Sequence, residues 1–237
     1  MENTKELIIY HALTLFSDKG YDGVSMRDIA GAVGIRAASI YNHFRSKEDI
    51  FGSIIDEMSS RYEEAVLQMQ VPDGDIAAVA EKYMQVTRET LTAIAQNLYL
   101  YFLKDDFASK FRRMLTVEQF RSTRAGDTFQ NFFVDGAIDF QTSLFAEMMK
   151  KGGFITCDPH IMALQFYSPL FLLLTKYDRL PDSADEALAV LERHVNQFSA
   201  VYSRQTTGKV HHRESILTCK ALCTIVDISG VQKGDLL

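Results

Sequence analysis

Arg36, Ser39, Tyr41, Asn42 and His43 fall within a stretch of eight residues, and Lys47 follows four residues later. Side chains of these types donate hydrogen bonds to base edges and phosphate oxygens, and a small neighbour such as Ala37 permits close approach to a duplex groove. The local charge agrees. From Ile29 to Lys47 the only charged residues are basic (Arg36, Arg45 and Lys47), although the whole chain has a net charge of −6. Groups suited to catalysis do not converge in this way. There is no glycine-rich phosphate loop, G-x-S-x-G elbow or H-E-x-x-H motif, so an enzyme is not expected. His211, His212, Cys219 and Cys223 form the one set with metal-ligand chemistry, since thiolates at i and i+4 share a helical face. Their spacing is not that of a structural zinc site, so a tail with free thiols is the stronger reading, and neither metal nor cofactor is expected.

Three short helices must position the donor cluster. Lys5–Ser17 carries Leu7, Ile8, Ala12, Leu15 and Phe16 on one side, the spacing of an amphipathic helix. Ser25 and Asp28 have the spacing of a capping box. Met26, Ile29, Ala30 and Val33 then share a face, Gly34 supplies the reversal, and Ile40 and Phe44 resume the apolar pattern. This is a helix-turn-helix, with Phe16, Tyr21, Ile29, Val33, Ile40 and Phe44 as its core. The rival reading is an ordinary helical hairpin with solvated basic residues.

The run I-A-G-A-V-G-I-R-A-A-S-I-Y-N-H-F-R-S-K-E-D-I-F resembles the signature of TetR-type transcriptional regulators, and the preceding Ala12–Ser25 is similar to that family's first helix and loop. The resemblance covers roughly residues 5–55. It implies an all-α protein whose N-terminal three-helix helix-turn-helix domain precedes a C-terminal helical ligand-binding and dimerisation domain. The expected divisions are 1–46, 47–204 and a tail at 205–237. Arg36, Ala37, Ser39 and Asn42 would approach bases. Ser25, Tyr41, His43 and Lys47 would hold phosphates, and Met26 and Arg27 complete the DNA-facing set. Ala38 stands where many members carry glycine, a departure that bears on base preference and not on fold.

Composition sets the bounds. With 237 residues, 47% of them hydrophobic and only four prolines, the chain can fold as a small domain plus a larger helical one. No signal peptide is evident at the N-terminus. The apolar run Pro169–Leu174 is far shorter than the ~20 residues that span a bilayer. Three cysteines give no secreted disulfide framework. A cytoplasmic protein with no membrane partner is expected.

Helical periodicity continues over Ser46–Gln70, Asp75–Leu103, Phe107–Phe120, Arg124–Lys151, from Asp158-Pro159 to Leu174 with a bend at Pro169, and Ala184–Arg204, with a further helix over Ser215–Ile225 in the tail. The aromatic and methionine density between Tyr83 and Tyr177 is mostly core, yet helices with such lining also wall small-molecule pockets. The family resemblance implies an effector site here. Tyr99, Phe102, Phe133, Phe166 and Tyr177 are the lining candidates, with Arg124, Gln141 and Gln165 as polar anchors. Leu164, Phe171, Leu188, Leu191, Val195 and Phe198 on the last two regular helices are the expected homodimer face, unless they complete the monomer core. The function implied is a repressor released from a palindromic double-stranded operator by a small apolar or aromatic effector. The alternatives are control by a protein partner, or a helical carrier or enzyme that no longer reads DNA.

Overall fold

The computed structural model describes residues 3–69 and 74–204. Residues 70–73 and the whole tail, with His211, His212, Cys219, Cys223 and the expected Ser215–Ile225 helix, lie outside the described residues. In chain order the helices are α1 (Thr4–Lys19), α2 (Met26–Val33), α3 (Ala37–Ile40), α4 (Lys47–Gln68), α5 (Ile76–Gln85), α6 (Arg88–Lys104), α7 (Asp106–Glu118), α8 (Thr123–Phe133), α9 (Asp135–Lys150), α10 (Pro159–Tyr177) and α11 (Ala184–Tyr202). The fold is all-α. Among the described residues the extended pairing is a single antiparallel bridge between Phe154 and Ser203.

Most helix starts are legible in their caps. Asn3 accepts from the Lys5 N–H, Asp75 from those of Ala77 and Ala78, Asp105 from that of Ala108, and Asp158 from those of His160 and Ile161. Each such bond satisfies an orphan donor of a first helical turn. Pro159 sits in the first turn of α10, where its missing N–H costs nothing, and the helix continues through Pro169.

Two expected long helices are each broken. Asp75–Leu103 divides at Val86, which is extended, and the Thr87 hydroxyl then accepts from the Thr90 N–H to start α6. Arg124–Lys151 divides at Val134, whose φ of −133° and ψ of −82° lie outside the helical region.

By packing, the described residues form two compact units, one within 3–65 and 104–129 and the other within 66–103 and 130–204. These units do not part at the 46/47 boundary read from sequence: most of α4, all of α7 and the start of α8 belong with the head.

In the first unit, α1 packs on α2 and on α7. Ile8, Ile9, Ala12, Leu13, Phe16, Val24, Ile29, Ile40, Phe44, Ile50 and Ile54 are buried there. Val33 and Tyr21, expected in this core, are half-buried. In the second unit, α9 packs on α5 and α10, and α10 on α11. Its centre is a cluster of rings: Phe145 meets Phe154 and Phe166 edge-on at 5.6 and 5.9 Å, and Phe166 meets Phe198 at 4.7 Å. Leu191, Val195 and Phe198 are buried in this unit. That corrects their assignment to a dimer face, because they complete the monomer core. Leu164, Phe171 and Leu188 are half-buried.

Candidate nucleic-acid interface

The interface is built from α2, the reversal after it, and the short α3. Ser25 caps α2 with a full capping box: its hydroxyl accepts from the Asp28 N–H at 3.2 Å, and the Asp28 carboxylate accepts from the Ser25 N–H at 2.8 Å. The Ser25 O–H also donates to Asp28 at 2.6 Å. These bonds from Ser25 hold the Asp28 carboxyl below the usual range. Gly34 ends the helix with φ +79° and ψ +23°, and the Ile35 N–H returns to the Ala30 carbonyl at 3.0 Å. A left-handed residue closed by such a bond is a helix stop that glycine adopts without steric cost. The chain then enters α3 in a new direction. Beyond Ile40 it winds on in single turns, the His43 and Phe44 N–H groups both bonding the Ile40 carbonyl.

Burial of Ile40 and Phe44 anchors this segment and leaves its other faces outward. Arg36, Ala37, Ala38, Asn42 and His43 are exposed, Tyr41 is 58% exposed, and Ser39 is half-buried. Ser25, Met26, Arg27, Ala37, Ala38 and Tyr41 line an open depression of about 590 Å³. Residues distant in sequence from one another, at the start of α2 and along α3, are thus brought to one concave surface. Arg27, Arg36, Asn42 and His43 supply donors on or beside it. Ala38 belongs to this lining and was not among the residues expected to touch DNA.

Two expected phosphate contacts are redirected. Ser25 gives its one O–H to Asp28, so it has no donor left for a phosphate oxygen. The Lys47 ammonium turns inward and donates to the carbonyls of Tyr21 at 2.7 Å and Val24 at 2.9 Å, 4.1 Å from the Tyr21 ring centre. Its task is to hold the loop between α1 and α2. The same loop is held from α7, where the Glu118 carboxylate, 2% exposed, accepts from the Tyr21 N–H at 3.0 Å and from Arg121 at 3.3 Å. This contact spans 97 residues and has no local signal in sequence. Beside it, Tyr10 donates to Asp106 at 2.7 Å, and Lys110 donates to both at 2.9 and 2.8 Å, tying α1 to α7.

The other expected site residues lie as follows. The Tyr99 hydroxyl donates to the Leu173 carbonyl at 3.2 Å. Phe102 meets Phe133 edge-on at 5.5 Å. Phe166 is in the ring cluster, and Tyr177 donates to Glu186 at 3.2 Å. Gln141 is 1% exposed, and its side-chain oxygen has no hydrogen-bond partner among the described residues. Gln165 is exposed and accepts from Tyr202, so it is a surface residue and not a pocket anchor. Arg124 belongs to the first unit, against Phe51, which removes it from the effector lining in the second. No three residues of the His, Cys, Asp and Glu types form a metal-binding group among the described residues, and none of the described helices is long and apolar enough to cross a membrane.

A capped helix, a left-handed glycine stop and a short second helix presenting donors around a groove-sized hollow define a helix-turn-helix DNA-binding head. Residues 8–54 match the sequence profile of the family described as bacterial regulatory proteins, tetR family. Over 47 residues it is 55% identical to the biofilm operon icaADBC HTH-type negative transcriptional regulator IcaR of Staphylococcus aureus strain Newman. That match covers 20% of this chain and 25% of the relative, so the chain spans about a quarter of the length of the curated relatives it matches. Among solved structures, a TetR-family regulator of Mesorhizobium loti superposes with a TM-score of 0.61 at 23% identity, covering 85% of this chain and 97% of that one. SmeT, described as the repressor of the Stenotrophomonas maltophilia multidrug efflux pump SmeDEF, superposes with 0.58 at 15% identity over 86% and 93%. Its complex with triclosan gives the same score at 18% identity and the same coverage. At such identities these structures establish the fold, which extends the likeness past the head into the second unit.

Proposed function

We propose that this chain is a DNA-binding transcriptional regulator, a repressor that leaves a palindromic operator when a small apolar or aromatic effector binds. The observation that carries the reading is the outward-facing set Arg36, Tyr41, Asn42 and His43 beside a hollow floored by small residues, in a stretch whose charged residues are all basic. Asn pairs bidentately with adenine and Arg with guanine, whereas Tyr and His donate to phosphate. Ala37 and Ala38 permit the close approach such contacts need.

The effector site is assigned to the second unit, around Tyr99, Phe102, Phe133, Gln141, Phe166 and Tyr177. Two facts support it: SmeT, of the same fold, is known in complex with triclosan, and the buried Gln141 amide oxygen lacks a donor. A buried acceptor left unpaired is costly, and a bound molecule or water removes that cost. Release is a population shift in which the effector binds more tightly to a state that does not fit the operator, with α4, which contributes to both units, as the element it biases. In functional terms the reading head is 1–46, the effector and dimerisation region 47–204, and 205–237 a tail.

Selection of genomic fragments by the full chain, followed by footprinting, tests the assignment. A palindromic protected site is the expected result. Asn42→Ala should cost about 1–3 kcal/mol at one base pair of each half-site and relax preference there. Equal affinity for all fragments, with Asn42→Ala binding like the parent, would refute it.

A further inference from the structure

The loop between α1 and α2 fixes where the DNA-facing helix pair begins, and its own backbone does little to hold it. Its local bonds are those of the Gly20 N–H to the Phe16 carbonyl at 3.0 Å and of the Val24 N–H to the Tyr21 carbonyl at 3.3 Å. The remaining anchors converge on Tyr21. Its carbonyl accepts from Lys47 at the start of α4, and its ring centre lies 5.1 Å from that of Phe16 and 5.6 Å from that of Phe51. Its N–H donates to the Glu118 carboxylate at 3.0 Å.

Glu118 is the last residue of α7 and lies outside residues 8–54, the stretch that matches the family profile. It is 2% exposed, and its carboxylate also accepts from Arg121 at 3.3 Å. The fit around it is close. A Cβ at Gly20 would stand 3.1 Å from both Arg121 Nη1 and Glu118 Oε1, at a φ of +75° that side chains rarely adopt. From Tyr21 the chain runs straight into the Ser25 cap. Met26 and Arg27 of the turn that follows line the DNA-facing hollow together with Ala37, Ala38 and Tyr41.

We infer that Glu118 is a positioning residue for DNA recognition, holding the start of α2 in register with α3 through the Tyr21 N–H without touching nucleic acid itself. The inference rests on the DNA-binding reading of the head, and on neither the effector nor the symmetry of the operator. Without the carboxylate the Tyr21 N–H loses its partner in a half-buried place, which favours arrangements that turn this donor to water. The head stays folded, but a smaller fraction of molecules holds the reading arrangement, and apparent affinity falls by that fraction. A role in folding alone would lower the melting temperature and leave the affinity of the folded molecules unchanged.

The full-length parent, Glu118→Ala, Glu118→Gln and Tyr10→Phe are titrated with a genomic fragment selected by the parent, at a temperature where melting curves show each protein fully folded. Amide exchange is followed in the free proteins. Glu118→Ala is expected to bind about tenfold more weakly, with faster exchange at Tyr21. Glu118→Gln keeps an acceptor oxygen and should stay within about threefold of the parent. Tyr10→Phe cuts the separate bond to Asp106 between α1 and α7 and should leave affinity unchanged. If Glu118→Ala does not fold, Glu118→Met, which fills the same space, takes its place. Parental affinity or unchanged Tyr21 exchange in Glu118→Ala, no rescue by glutamine, or an equal loss in Tyr10→Phe overturns the inference. A parent that selects no fragment fails the DNA-binding reading as well, whereas a selective parent with an unaffected Glu118→Ala protein fails this inference alone.

Discussion

Lys47 shows how a residue's type can be right and its task different. Its position in the S-K-E run points to phosphate, but its ammonium bonds two loop carbonyls and faces the Tyr21 ring. Lys47→Met keeps the length and removes the donor. It takes a donor from both carbonyls in a half-buried place, where that of Tyr21 keeps only the Val24 N–H at 3.3 Å, and should destabilise the protein by about 1–3 kcal/mol. Urea denaturation measures this. If Lys47 acted on DNA alone, the midpoint would not move and only the salt dependence of operator binding would flatten. Ser25 follows the same logic, since the capping box consumes its single O–H. The side chains of Arg36, Tyr41 and Asn42 have no such internal commitment among the described residues, so their outward placement leaves their chemistry available.

At the scale of elements, what the sequence made legible is what local rules govern. Caps at Ser25, Ser46, Asp75, Asp105 and Asp158, and the stop at Gly34, depend on residues within four positions, and each could be read from the chain. Where the readings failed, the cause was not local. Periodicity runs unbroken across Val86 and Val134, because apolar residues on both sides serve a core, so each pair of helices looked like one. Burial of Leu191, Val195 and Phe198 within one subunit could not be told from burial against a second copy, since an apolar stripe does not name its partner. The Glu118–Tyr21 contact was invisible for the same reason. The α10–α11 pair carries a testable consequence. His194 lies against Phe166 and bonds its carbonyl at 2.9 Å. Burial lowers its pKa below the ordinary 6.5. A base depressed in the folded state is protonated first in the unfolded chain, so stability is full above about pH 6.5 and is lost as pH falls towards the folded value. Thermal melting across this range should show the decline, and His194→Leu should flatten it.

At the scale of the whole molecule the decisive question is how one small head reaches useful affinity. A single α3 of four residues, with a few donors beside it, makes few contacts, and most of the available energy is non-specific and salt-dependent. Two heads related by a two-fold axis, set about 34–36 Å apart, read a palindrome, and the second head binds at high effective concentration. The second unit offers a face for this: Ile161 and Leu172 on α10 are 48% and 65% exposed, and Val201 on α11 is 56% exposed. On the proposed dimeric reading, these three, with half-buried Leu164, Phe171 and Leu188, are the candidates to pair two copies once Leu191, Val195 and Phe198 are assigned to the core. Leu172→Glu places a charge at the most exposed of them without touching the ring cluster. Its expected outcome is a monomer by sedimentation velocity, with melting close to that of the parent. Footprinting should then show operator affinity reduced by about a hundredfold or more, because each head must bind alone. A Leu172→Glu protein that sediments as a dimer would exclude this face. One that is monomeric and binds the operator undiminished would show that the heads do not act as a pair.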